Sequence, residues 1–131
     1  MTKEMPVHDL EDVIELYPLL FTQKRLDEWL QLFDKRAVVV RIEAGQPVAC
    51  QNIHDAMPEQ REYAAENSLF EEKWEQVRIH QYGNLAVIRA NYTLTVDSET
   101  RKGFDVLTLC RTNEEWKIIH LAYEQQEYSR R

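Results

Sequence analysis

Tyr82-Gly83-Asn84-Leu85-Ala86-Val87-Ile88-Arg89-Ala90-Asn91-Tyr92 is the stretch from which the fold can be read. Gly-Asn is a two-residue hairpin signal, with the glycine supplying positive φ, and apolar runs flank it on both sides. Working outward, Trp74 to Tyr82, Leu85 to Val96, Phe104 to Thr112 and Glu115 to Tyr123 are four strand-like runs. Turns at Gly83-Asn84, Ser98-Glu99 and Asn113-Glu114 predict a register. Ile79 then lies opposite Ile88, Tyr92 opposite Asp105, Leu109 opposite Ile118 and Leu107 opposite His120. One face carries Val77, Ile88, Leu107 and Ile118 together with Tyr92, Asp105, Trp116 and His120. The other carries Val87, Val106, Cys110, Ile119 and Leu121. Both faces are apolar, so each needs a cover, whereas a solvated face would alternate toward polar residues. The same register sets Arg78 opposite Arg89, two like charges that repel unless a carboxylate stands between them.

The cover for one face lies upstream. Leu10, Val13, Ile14, Tyr17, Leu20 and Phe21 recur at helical spacing, with Pro18 predicting a kink or a break into two helices. A second stripe runs through Leu26, Trp29, Leu30 and Phe33. Ala37 to Ile42 then reads as a β-branched strand, Gly45 as a turn and Pro47 to Cys50 as a short edge strand. Asn52 caps a short helix, and Pro58 suits the first turn of another that runs to about Asn67. The expected class is α+β: N-terminal helices packed in the concavity of a strongly curved, mainly antiparallel sheet that closes on a pocket. Residues 1–131 make one domain, and 125–131 form a polar C-terminal tail.

Composition narrows the function. A net charge of −7 disfavours a nucleic-acid partner, which requires clustered Lys and Arg, and an anionic membrane surface as well. No stretch approaches the roughly 18 apolar residues of a membrane span. The opening Met1-Thr2-Lys3-Glu4 begins no apolar leader, and the two distant cysteines, Cys50 and Cys110, suit a reducing compartment, so the expected location is cytoplasmic. His8, His54, His80 and His120 show no paired ligand spacing, and no glycine-rich phosphate loop or Gly-x-Ser-x-Gly elbow occurs. No metal and no cofactor is expected.

Three stretches carry a family resemblance: Leu26-Asp27-Glu28-Trp29-Leu30-Gln31-Leu32-Phe33 before a valine strand, Asn84-Leu85-Ala86-Val87-Ile88, and the ending Glu115-Trp116-Lys117-Ile118-Ile119-His120. Over residues 8 to 124 the chain resembles the nuclear transport factor 2-like superfamily, with its SnoaL-type and ketosteroid-isomerase-like branches. The resemblance implies an α+β cone of the cystatin-like kind with a pocket at its open end. It also implies dimerisation through the outer sheet face and, in the enzymatic branches, proton transfer by pocket carboxylates aided by His or Tyr. Where a common pattern ends the last strand with a further His and a Ser, this chain has Leu121-Ala122-Tyr123-Glu124.

Candidate residues follow from the register. Asp105 is the single carboxylate on its face, beside Tyr92 and diagonal to His120. A buried carboxylate there could act as a base beside a carbonyl, or it could bond a hydroxyl at a frayed strand start. His120 could orient it, shuttle its proton or sit satisfied in the core. Tyr92 completes the catalytic candidates. Tyr17, Trp29, Trp116 and His54 are the ligand-binding candidates, each with a core or surface role as its alternative. The function expected is a cofactor-independent isomerase, cyclase or hydratase acting by proton transfer on a small apolar carbonyl compound. The alternative is a non-catalytic binder or dimeric assembly module of the same fold.

Overall fold

The computed structural model describes residues 6–130. Helices α1 (Leu10–Thr22) and α2 (Leu26–Leu30) lead into strands β1 (Phe33–Glu43) and β2 (Gln46–Asn52), and α3 (Ile53–Glu66) follows. The meander β3 (Phe70–Tyr82), β4 (Leu85–Val96), β5 (Glu99–Thr112) and β6 (Glu115–Arg130) completes the chain. The six strands form one sheet in the order β2-β1-β6-β5-β4-β3, with β1 parallel to β6 and every other pair antiparallel. The helices fill its concave side, so the α+β expectation holds. The expected tail is strand through Arg130, where Glu99 pairs with it; Arg131 lies outside the described residues.

Neither proline breaks its helix. Pro18 lies inside α1, which removes the two-helix alternative there, and Pro58 lies inside α3, where the two short helices expected are corrected to one. Pro58 is exposed, as is His54 four residues earlier, so water can take the carbonyl that the missing N–H would have bonded. Asn52 does cap α3, its side chain accepting from the His54 N–H at 2.8 Å. The core is the inner face of the sheet, with Ala86, Ile88, Leu107, Leu109 and Ile118 packed against Val13, Leu20, Trp29 and Ile53.

The register departs from expectation at three points. The β4–β5 turn sits at Asp97-Ser98, one residue earlier than predicted, so Tyr92 faces Gly103 and Asp105 faces Ala90. The shift is two residues along the ladder, and both stay on the inner face. Gly103 allows this geometry, because a Cβ there would meet the Glu124 carbonyl oxygen at 1.9 Å and the Tyr92 ring at 2.9 Å.

The other two departures are bulges. In β3, Gln76 and Val77 together oppose Ala90, with Gln76 at φ 52°. In β6, Ile119 is the extra residue between the pairs Leu109–Ile118 and Thr108–His120. Each bulge reverses the inside and outside of the strand beyond it. Glu72 and Trp74 turn inward, opposite Leu94 and Tyr92. His120 turns outward, and Leu121, expected on the outer face, is 97% buried inside. Arg78 does face Arg89, whose guanidinium lies over the Phe104 ring at 5.0 Å.

Candidate functional site

The open end of the sheet and α3 enclose a cavity of about 390 Å³. Its inner wall is aromatic. Tyr17 and Phe21 come from α1, Trp29 from α2, Tyr92 from β4 and Tyr123 from β6. Tyr17, Trp29, Phe21 and Phe33 meet at centroid separations of 4.8 to 6.2 Å, so packing fixes the wall before any ligand arrives.

At the base of this wall are two carboxyl groups, Asp105 and Glu72. Asp105 is 97% buried, the one charged side chain among the fully buried residues described. Trp74 donates its indole N–H to Asp105 Oδ2 at 2.9 Å and stacks on Tyr17 at 4.6 Å. Glu72 keeps some surface in the cavity, while its carboxyl is withdrawn from bulk water and hydrogen-bonded to Asp105. Its backbone is pinned to α1, since its N–H donates to Thr22 Oγ1 at 2.8 Å and the Thr22 hydroxyl donates to its carbonyl at 3.2 Å.

Burial raises both acids. Asp105 goes from 3.8 to about 7, held down against further rise by the bonds from Trp74 and Glu72. Glu72 is raised well above 4.5 by burial, then by the charge of Asp105 and the bond to it. Two adjacent buried carboxyls cannot both ionise cheaply, so the pair resists giving up its second proton and shares one proton near neutral pH. Burial likewise raises Tyr17, Tyr92 and Tyr123, leaving three neutral phenols around that charge.

The mouth has a different character. Arg41 pairs with Glu43 at 3.5 Å and Arg101 with Glu99 at 2.7 Å. Arg101 also lies against the rings of Tyr63 and Tyr128, at 5.6 and 5.7 Å. Arg101 is thus matched, while Arg41 Nε is buried with no hydrogen-bond partner among the described residues. Glu59, Glu62 and Glu66 on α3 also line the cavity and carry no ion pair among the described residues. The entrance is therefore net negative.

Of the predicted residues, Asp105, Tyr92, Tyr17 and Trp29 come together at this cavity. Three do not. His120 is corrected to the outer face by the Ile119 bulge. Trp116 is core, 2% exposed and outside the lining, with the Arg111 guanidinium over its ring at 5.1 Å. His54 is exposed in the first turn of α3 and does not line the cavity. The residues that pattern reading missed are Glu72 and Trp74, at the far side of an unmarked bulge, and Tyr123, which the second bulge turns inward. Among the described residues no cluster of His, Cys, Asp or Glu could hold a metal ion, and no helix is long and apolar enough to cross a membrane.

No family model and no curated protein matches the sequence. Solved structures do. A scytalone-dehydratase-like protein from Novosphingobium aromaticivorans superposes at TM-score 0.78 with 13% identity, over 92% of this chain and 83% of the other. An NTF-2-like protein of unknown function from Shewanella oneidensis matches at TM-score 0.71 with 15% identity, over 88% and 95%. The β subunit of an aromatic-ring-hydroxylating dioxygenase type, also from Novosphingobium aromaticivorans, matches at 0.72 with 16%, over 90% and 87%. The chain has the nuclear transport factor 2-like, cystatin-like α+β fold.

Proposed function

We propose that this protein is a cofactor-independent enzyme of the isomerase, cyclase or dehydratase kind, moving protons on a small, uncharged, largely apolar carbonyl compound. The observation that carries this reading is the pair of adjacent buried carboxyls, Asp105 and Glu72, at the base of an aromatic cavity, both raised by burial. A base is most useful when its pKa lies near working pH, and about 7 meets that condition. Environments that push two titratable groups apart assign their roles. Asp105 takes the proton from the carbon next to the carbonyl, breaking that C–H bond and forming its own O–H. Glu72 donates its proton to the carbonyl oxygen as negative charge develops there. Return of the Asp105 proton to a different carbon, as the enol O–H proton goes back to Glu72, isomerises the substrate. Departure of a β-hydroxyl as water with the Asp105 proton, as the enol O–H proton goes back to Glu72, dehydrates it.

The cavity supports the size and polarity of the substrate. At about 30 Å³ per water, it holds roughly a dozen solvent molecules, and a compact one- or two-ring compound displaces them. The net negative charge of the mouth disfavours an anionic substrate. The dehydratase-like neighbour has the same fold and does not by itself assign a reaction.

The test is hydrogen–deuterium exchange of a panel of small neutral ketones in heavy water, followed by NMR. Asp105→Asn should exchange any accepted ketone at least about a hundredfold more slowly, while His120→Gln keeps the wild-type rate. An Asp105→Asn protein that exchanges at the wild-type rate would end this reading. One that binds the panel while neither protein exchanges any member would leave a binder.

We propose in addition a cytoplasmic homodimer, formed through the outer sheet face around Val87, Val106, Cys110 and Ile119. The motive is the apolar surface left uncovered there, with Leu85 44%, Val106 36% and Ile119 37% exposed. Sedimentation at micromolar concentration checks it, and a monomer refutes it.

A further inference from the structure

We infer that Trp74 is a positioning residue: its indole N–H fixes the ionised carboxylate on Asp105 and thereby places the proton shared by the pair on Glu72. The inference rests on the proton-transfer reading only for its consequence in turnover; the assignment of the proton can be tested on the ligand-free protein.

Four observations converge on it. The N–H to Oδ2 separation is 2.9 Å, a good length for a hydrogen bond to a charged acceptor. The indole ring cannot drift, because it stacks on the buried Tyr17 ring at 4.6 Å with 23° between planes. Trp74 does not line the cavity, so its N–H reaches Asp105 from behind and leaves the cavity side of the pair to a ligand. Finally, the bulge at Gln76 is what turns Trp74 inward, together with Glu72, so one irregularity brings in both the partner acid and the group that discriminates between the two.

An indole N–H can only donate. A donor on one member of a carboxyl pair stabilises the ionised form of that member and not of the other. Without it, Asp105 and Glu72 would be two buried acids distinguished only by their surroundings. Glu72 receives instead two backbone bonds with the Thr22 hydroxyl, which hold its main chain still without touching its carboxyl charge. The groups facing Asp105 from the other packed elements are Tyr17 of α1, Tyr92 of β4 and Tyr123 of β6. All are held neutral by burial, so none supplies a competing charge.

The experiment is a pH titration from 5 to 9 by NMR. Of the three indole N–H resonances, that of Trp74 should shift with a midpoint near 7 and stop doing so in Asp105→Asn. With aspartate labelled at the carboxyl carbon, Trp74→Phe keeps the aromatic stack, removes the donor and should raise the Asp105 midpoint by about one to two pH units, the size expected for one hydrogen bond to a charged acceptor. Any measured pH–rate profile should move its acid limb up by the same amount. A Trp74 resonance that ignores pH, or an Asp105 midpoint unmoved or lowered in Trp74→Phe, overturns the inference. Should Trp74→Phe not fold, the wild-type and Asp105→Asn indole titrations decide it. A protein that titrates as stated and exchanges no ketone keeps Trp74 in this role and loses only the reaction.

Discussion

The bulge in β3 and the bulge in β6 are the same device put to opposite uses. In β3 the extra residue brings an acid and a donor into the cavity: Glu72 and Trp74 would face outward in an unbroken ladder. In β6 it expels a titratable ring, turning His120 out and Leu121 and Tyr123 in. Local sequence does not distinguish the two. Gln76 is a non-glycine residue at φ 52°, a conformation that costs an L-residue about 1–2 kcal/mol. The β6 bulge is carried by an isoleucine between Ile118 and His120. What differs is the company each strand keeps. Beyond its bulge β3 meets α1, where Tyr17 stacks on Trp74 and Thr22 clasps Glu72. Beyond its bulge β6 pairs with β1 on one side and β5 on the other. A bulge is thus chosen by the elements packed against its strand, a tertiary and not a local preference.

The largest effect expected from this comparison is at Leu121. An unbroken β6 would put Leu121 outside and His120 inside, so Leu121→Asp would weaken a dimer and spare the fold. With the bulge, Leu121 is 3% exposed in the core, and the aspartate there is an unpaired buried charge. Leu121→Asp should cost more than about 3 kcal/mol and leave the chain largely unfolded in thermal melts. Ile119→Asp, two residues earlier and 37% exposed, should keep the fold and break the dimer. A folded monomer from Leu121→Asp would restore the unbroken ladder.

The next effect is on stability against pH, and it comes from the β3 side. Asp105 is raised in the folded state from 3.8 to about 7, chiefly by burial. Between those values the folded chain binds more protons than the unfolded one, so this group makes stability fall as pH rises. The penalty is absent below about pH 4 and complete above about pH 7. Asp105→Asn has no charge to bury, and its amide oxygen can still accept from Trp74. It should therefore melt higher than the wild type at pH 8, with the advantage shrinking toward zero at pH 4. Denaturant midpoints across that window check the sign, and an advantage that grows on acidification would contradict the burial.

Most of the fold was legible because alternation reports which residues share a face, and Gly83-Asn84 and Asn113-Glu114 fixed two turns. The first residue pair predicted beyond Gly83-Asn84, Ile79 with Ile88, is present, as is Leu109 with Ile118. The site was legible only up to the bulges. Asp105, Tyr92, Tyr17 and Trp29 lie on segments whose facing is set by local pattern, and they line the cavity. His120 did not survive because Ile118, Ile119 and Leu121 are all apolar, so a one-residue slip exchanges one apolar set for another and leaves no mark in the pattern. Glu72 was hidden for a second reason. Glu71 and Glu72 adjoin, and alternation gives no preference for which of two like neighbours points inward.

The smallest effect tests the backbone of the β3 bulge itself, at Gln76. Its side chain accepts a bond from Asn91 Nδ2 at 2.9 Å, so glycine or valine there loses that contact, and comparison with the wild type alone would mix the bond with the backbone. Two substitutions compared with each other remove the ambiguity. Gln76→Gly and Gln76→Val both lack the bond; they differ in how they tolerate φ 52°. Glycine enters this region freely but loses more entropy on folding, whereas a β-branched side chain is strongly disfavoured there. If the bulge persists, Gln76→Val should be less stable than Gln76→Gly by about 1–2 kcal/mol, roughly 3–8 °C in Tm. A regular extended strand demands the reverse order, since valine is the better strand residue by up to about 1 kcal/mol. The sign of the difference therefore reports the conformation at Gln76, and with it whether Glu72 and Trp74 face the cavity. A valine variant more stable than the glycine variant would remove the bulge, the carboxyl pair and the indole donor together.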